Sequence, residues 1–322
     1  MFLKLTYIIK PIHLAQYDKL SFSVPYNEQT ISITIEKIPE EKRIPAFGKN
    51  DLFASAMIEI ELSEKKKKQF AAISSPLSNA IKDFIDPIQT TLYEHILSTI
   101  KICRWRFDND SFYELIRFYG GYAYSEDGVQ WKIFPDQLTM MIEFDRPLSK
   151  EYTSTEIESV QTLLSQEQHE PIRHELLQEA WELRKHNPRS SLVIGLAAVE
   201  TGFKQFSSQL VPYTSWMIQN APSPPLVDML REMIPSLPVK NKIYGKALPP
   251  PTEALNILKK GVTLRNQIVH GKNPTLQKDT VEEILNTVRD TLYLLDFYNG
   301  HTWAWSHINS ATTHLLVADS KK

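Results

Sequence analysis

The chain has 322 residues, is 42% hydrophobic and 23% charged, and carries a formal net charge of −2. That length exceeds one average domain and fits two, and the composition is that of a globular protein with sizeable cores. The near-zero balance leaves no global field toward nucleic acid or membrane, and the single cysteine, Cys103, excludes an internal disulfide or a zinc site built on several cysteines.

In chain order, MFLKLTYIIKPIHL is apolar for only a few residues, contains Lys4 and Lys10, and lacks a small-residue cleavage site, so it reads as a strand rather than a signal peptide. FLKLTYII, TISITIEKI and LFASAMIEIEL are rich in β-branched and aromatic residues and alternate in part, which predicts strands. The run Lys65–Lys68 lies between glutamates and reads as a solvated helix end or loop, with a phosphate backbone as the other partner such a run can have. From Ser78 to about Ile102 the apolar residues Ile81, Ile85, Ile88, Leu92, Ile96 and Ile100 recur at helical spacing, and Pro87 is expected to kink or split that helix. AYSEDGVQWKIF predicts a hairpin turning at Asp127-Gly128, and LTMMIEF a partner strand. The aromatics between Trp105 and Tyr124 read as core, or as a base-stacking platform. His13 and His95 are isolated and carry no evident chemistry.

The polar stretch Asp145–Glu156 marks the expected domain boundary. The expected fold is therefore α+β with two domains: a strand-containing recognition or regulatory domain over residues 1–150, whose ligand or trigger is unknown, and an all-α bundle over 151–322. In the second half, helices are predicted from Ser154 to Ser165, from Pro171 onward, over Arg189–Leu210, and over LVDMLREMIPSL, with PYTSWMIQNAPSPP as a loop. His169, Glu170 and His174 suggest a metal site, but Pro171 interrupts them and no third ligand is evident; a solvated helix start accounts for them. A further helix runs from Thr252, its expected N-cap, to a stop at Gly271, and the last opens with a Thr280/Glu283 capping box and ends at Asn299-Gly300. The Trp303/Trp305 tail is expected to pack back on the bundle.

The helix ending at Gly271 holds the sequence LRNQIVHG. Ala254, Leu255, Ile257, Leu258, Gly261, Val262, Leu264, Ile268 and Val269 share one arc of its wheel, while Asn266 and His270 lie on the polar one. Arg265 points from the apolar arc, and a guanidinium cannot lose its proton to escape burial, so it requires an anionic partner. Glu200, on the buried side of the Arg189–Leu210 helix, is the natural one. From Ser236 to Thr280 there are eight basic residues, among them Lys259, Lys260 and Lys272, and two acidic ones, a local excess that favours an anionic ligand.

Four long helices with LRNQIVHG in the last but one make this half resemble the HEPN family (higher eukaryotes and prokaryotes nucleotide-binding), most closely the branch found in abortive-infection proteins. Its signature, an Arg followed after about four to six residues by a His with a polar residue after the Arg, is matched by Arg265, Asn266 and His270, and its acidic residue on an earlier helix by Glu200. The likeness covers about Pro171 to His301. It implies a compact, usually dimeric helical bundle and a metal-independent endoribonuclease with no cofactor. Such an enzyme acts as a toxin or phage-defence effector in the cytoplasm, without a membrane partner. The implied roles are catalysis by Arg265, Asn266 and His270, support from Glu200, and RNA contacts from Lys259, Lys260 and Lys272. The alternatives are an inactive HEPN bundle that binds RNA or a nucleotide, and a structural or dimerisation module.

Overall fold

The β-rich runs of the first half become neighbouring strands because each has one apolar face to bury. In a computed structural model that describes residues 1–9, 18–42, 51–71, 73, 77–107, 115–134, 153–220 and 225–320, the chain forms two compact units, Met1–Glu170 and Pro171–Lys322. The expected strand LTMMIEF, the boundary stretch up to Tyr152 and His13 lie outside the described residues.

The first unit is built on a six-stranded antiparallel sheet of order β2-β3-β4-β1-β5-β6. Its strands are β1 (Phe2–Ile9), β2 (Lys19–Tyr26), β3 (Gln29–Lys37), β4 (Leu52–Glu59), β5 (Leu115–Ser125) and β6 (Lys132–Ile133). In β2, Leu20, Phe22 and Val24 are buried while Ser21, Ser23 and Pro25 face water, the alternation of a sheet covered on one face. That strand was not singled out in the sequence, because its alternation is half serine. The hairpin at Asp127-Gly128 forms: Asp127 Oδ1 accepts from the N–H groups of Val129 and Gln130, and Gly128 takes φ 74°.

Helices α1 (Glu64–Ala71), α2 (Asn79–Phe107) and α3 (Ser154–Ser165) complete this unit. Of the kink or split expected at Pro87, the split does not occur; α2 runs through it. Pro87 and Asp83 are both exposed, so the carbonyl freed by the missing N–H is hydrated, while Ile81, Ile85, Leu92 and Ile96 keep the buried stripe intact on either side. Helix α3, which composition assigned to the helical half, belongs here, so the division falls at Glu170–Pro171 rather than near residue 150. Three polar contacts explain why. The Gln161 amide donates to the Ser23 carbonyl and accepts from its N–H, both at 2.9 Å, pairing with the open edge of β2 at that residue. Arg106 donates to Ser159 at 2.9 Å, and Arg104 donates to Glu170 through Nε at 3.0 Å. A Thr153/Glu156 capping box starts α3.

The second unit is helical: α4 (Ile172–Leu183), α5 (Pro188–Leu210), α6 (Ser215–Asn220), α7 (Leu226–Glu232), α8 (Thr252–Val269), α9 (Lys278–Tyr298) and α10 (Ser310–Ser320). Helix α5 is central and packs against α4, α8 and α9. Its Leu192, Leu196, Val199, Phe203 and Phe206 meet a core completed by Val281, Ile284, Leu285, Val288 and Leu292. A Cβ on Gly202 would lie 2.8 Å from the Arg173 side chain, so glycine there allows α4 to approach α5.

Two expected caps are absent. Pro251 rather than Thr252 precedes α8, and α9 starts at Lys278 after Gln277, which places Thr280 inside the first turn. Glu283 instead faces Lys260 at 3.5 Å. The expected stops hold, with Gly271 at φ 76° and Gly300 at φ 110°. Part of the expected loop after Leu210 is helical, as α6, and the tail adds α10 after packing Trp305 on Phe297 at 5.2 Å. Among the described residues no helix is long and apolar enough to cross a membrane.

Candidate active site

Helix α8 is held to α5 and α9 by Gly261, whose added Cβ would lie 3.4 Å from Leu196 and 3.1 Å from Ile284. One turn further along both helices, Arg265 follows Gly261 and Glu200 follows Leu196. The close approach that Gly261 permits brings α8 near enough to α5 for the Arg265 and Glu200 side chains to reach each other. Arg265 Nη2 lies 3.5 Å from Glu200 Oε2, with side-chain exposures of 22% and 23%. The other carboxylate oxygen, Oε1, faces Lys204 Nζ at 3.2 Å, a cation the sequence analysis passed over. Glu200 is thus shared by two cations at the rim of the unit. The apolar-arc reading of Arg265 is corrected in degree: the pair is partly hydrated rather than sealed in the core.

Asn266 and His270 are exposed on the next turn of the polar arc. His270 is the C-cap residue of α8, and its backbone N–H donates to the Asn266 carbonyl at 3.0 Å. Lys272 follows in the turn, exposed, with its N–H bonded to the Gln267 carbonyl at 2.8 Å. Arg189, from the start of α5, donates to Asn273 in the same turn and adds a positive charge that the sequence analysis did not assign. Lys259 and Lys260 are exposed on the preceding turns, the latter facing Glu283. The imidazole, the carboxamide and the half-buried guanidinium lie within six residues at the end of α8, and among the described residues no hydrogen bond joins their side chains. An imidazole can exchange protons with a phosphodiester, and a guanidinium can offset its charge.

The expected burial of the whole apolar arc does not hold. Leu255, Leu258 and Gly261 are buried, whereas Leu264 and Ile268 are half-buried and Val269 is 61% exposed. The C-terminal half of α8 extends past what α5 and α9 cover.

A second polar cluster lies inside the unit and was misread from sequence. Of His169, Glu170 and His174, expected at a solvated helix start, only His169 is exposed; Glu170 and His174 are buried, as is Arg173, and Asp296 is fully so. Asp296 accepts from Arg173 through Oδ1 and faces His174 Nε2 at 2.7 Å through Oδ2, while Arg173 Nη1 donates to Gln205 at 3.3 Å. Burial by itself pushes the Asp296 carboxyl up, but Arg173 and His174 together hold it well below the ordinary carboxylate range. The nearby His301 imidazole is pushed down, first by burial. The available signal was Asp296 itself, a carboxylate set into the buried stripe LYLLDFY of α9. This cluster ties α4 and α5 to α9. Among the described residues no three His, Cys, Asp or Glu side chains are grouped to hold a metal ion.

Comparison with known protein families, with curated proteins and with solved structures yields no match for this chain.

Proposed function

We propose that the second unit is a HEPN-type bundle with metal-independent endoribonuclease activity, working as a symmetric homodimer in a cytoplasmic toxin or phage-defence role. The observation that carries this reading is the Arg265–Glu200 pair at 3.5 Å, with Asn266 exposed beside Arg265 in sequence and His270 exposed at the cap of the same helix. RNA supplies its own nucleophile. The 2′-hydroxyl loses its proton to a base, its oxygen bonds to phosphorus, the P–O5′ bond breaks, and a proton reaches the departing 5′-oxygen. His270 serves one proton transfer and the partner's equivalent side chain the other. Arg265, oriented by Glu200, offsets the charge that grows on the phosphoryl oxygens, and Asn266 orients the imidazole or a phosphate oxygen. The exposed Lys259, Lys260 and Lys272 draw in the RNA backbone. The uncovered edge of α8 at Leu264, Ile268 and Val269 supports a two-fold interface that would bring two such sites together.

The test incubates end-labelled RNA with the purified protein in excess EDTA, beside His270→Ala. Cleavage that leaves 2′,3′-cyclic phosphate and 5′-hydroxyl ends, and that His270→Ala abolishes, is the expected result. No cleavage under any condition, or equal cleavage by the variant, ends this reading. A binding or dimerisation module is the second reading, and the sharing of Glu200 between Lys204 and Arg265 favours it, since a guanidinium so engaged also serves as a tie between helices.

A further inference from the structure

Two features of the first unit have no part in the proposed ribonuclease: the lysine run of α1 and the aromatic set that ends at Tyr124. Lys67 and Lys68 of the first and Tyr124 of the second line one recess. A recess of about 590 Å³ lies between α1 and the β5–β6 side of the sheet, bounded by Leu62, Lys67, Lys68, Phe70, Tyr124 and Glu126. That volume falls in the range of small-ligand sites.

The floor is aromatic. Phe70 meets Tyr124 at 5.9 Å, and Tyr124 meets Phe134 at 4.8 Å. Tyr124 is 9% exposed, yet it lines the recess and its hydroxyl has no hydrogen-bond partner among the described residues. The hydroxyl oxygen is not sealed in the core, so it is open to water or to a ligand atom.

The rim is cationic with one acid. Lys66 is committed to the Phe84 ring, 3.3 Å from its centroid. Lys67 pairs with Glu64 at 2.7 Å, but both are well exposed, and such a pair is readily exchanged for a better anion. Lys68 has no ion-pair partner among the described residues. Glu126, exposed on the same rim, accepts hydrogen bonds only.

We propose that this recess is a binding site for a mononucleotide. The phosphate would lie on Lys67 and Lys68, the base against Phe70 and Tyr124, and a ribose hydroxyl or base amine would donate to Glu126. A fatty acid satisfies the lysines and the apolar floor but offers Glu126 no donor, which disfavours it.

The experiment is calorimetric titration of the full chain with purine and pyrimidine mononucleotides, the matching nucleosides, and decanoate. The expected result is saturable mononucleotide binding below about 1 mM. Loss of the phosphate, or the double substitution Lys67→Ala/Lys68→Ala, weakens it at least about tenfold, the scale of lost charge-assisted hydrogen bonds. Tyr124→Phe, which removes only the hydroxyl, weakens it about threefold to tenfold. Circular dichroism and melting confirm that the variants fold. His270→Ala binds as wild type does, which separates this site from the proposed ribonuclease and leaves either able to fail alone. The proposal is overturned by the absence of saturable nucleotide binding, by decanoate binding in its place, by unchanged affinity in the double-lysine or Tyr124→Phe variants, or by binding that depends on His270.

Discussion

Glu200→Gln removes the charge shared by Lys204 and Arg265 while keeping the side chain's shape. The gross attraction between unit charges 3.5 Å apart is about 5 kcal/mol at an effective dielectric of about 20. Most of it is offset, because these groups give up part of their hydration to form the pair. At 22–23% side-chain exposure the pair stands between an exposed ion pair, worth about 0–1 kcal/mol, and a sealed one, whose breakage costs about 3–5 kcal/mol. We expect Glu200→Gln to cost about 1–2 kcal/mol, a Tm lowered by about 2–8 °C for a unit of this size. The assay is denaturation of wild type, Glu200→Gln, Arg265→Gln and the double variant. The cycle should return a coupling of about 1 kcal/mol, since the second substitution removes the cation left unbalanced by the first. RNA cleavage by Glu200→Gln should fall through kcat with binding little changed, because the guanidinium loses its orientation but not its charge. A coupling indistinguishable from zero would refute the pair as an energetic contact. A loss above about 4 kcal/mol would refute the partial hydration from which this magnitude is built.

Arg265→Ala and His270→Ala should each slow RNA cleavage by about 10²-fold or more while gel-shift affinity changes little, whereas joint replacement of Lys259, Lys260 and Lys272 by Ala should weaken binding and flatten its salt dependence. Asp296→Asn strands the Arg173 charge in the core and should cost about 3–5 kcal/mol in urea unfolding, with no comparable effect from an exposed control such as Asp279→Asn. Asp296 and His301 also set the acid response. A lowered carboxyl pKa adds stability that is complete above the ordinary carboxylate value of 3.8 and lost as pH falls toward the folded one. A lowered imidazole pKa adds stability that is complete above 6.5 and lost as pH falls through and below that value. Stability should therefore decline first below about pH 6.5, a step that His301→Gln removes, and again in strong acid, as read by urea midpoints across pH. Val269→Glu should leave the monomer folded and shift sedimentation toward it; an unchanged oligomer would place the interface elsewhere.

Periodicity alone determined much of this chain. The apolar spacings of Ile81–Ile100, Leu192–Leu210 and Leu255–Val269 are visible in sequence because a helix or strand must show one apolar face, and Gly271 and Gly300 mark stops because few other residues take positive φ. The pairing of Arg265 with Glu200 was legible for a related reason: a cation that cannot discharge, set in an apolar arc, needs an acid on the facing helix. How deeply that pair lies could not be read, since burial depends on where neighbouring helices end, and α5 and α9 leave the last turns of α8 uncovered. The same dependence hid the rest. His174 looks like part of a solvated helix start until Asp296, far along the chain, meets it and Arg173 inside the core. Helix α3 looks like part of the helical half until Gln161 pairs with the edge of β2 at Ser23. The lysines of α1 and Tyr124 share a cleft only because β1 pairs with both β4 and β5, and no local pattern encodes that strand order; long-range pairing does.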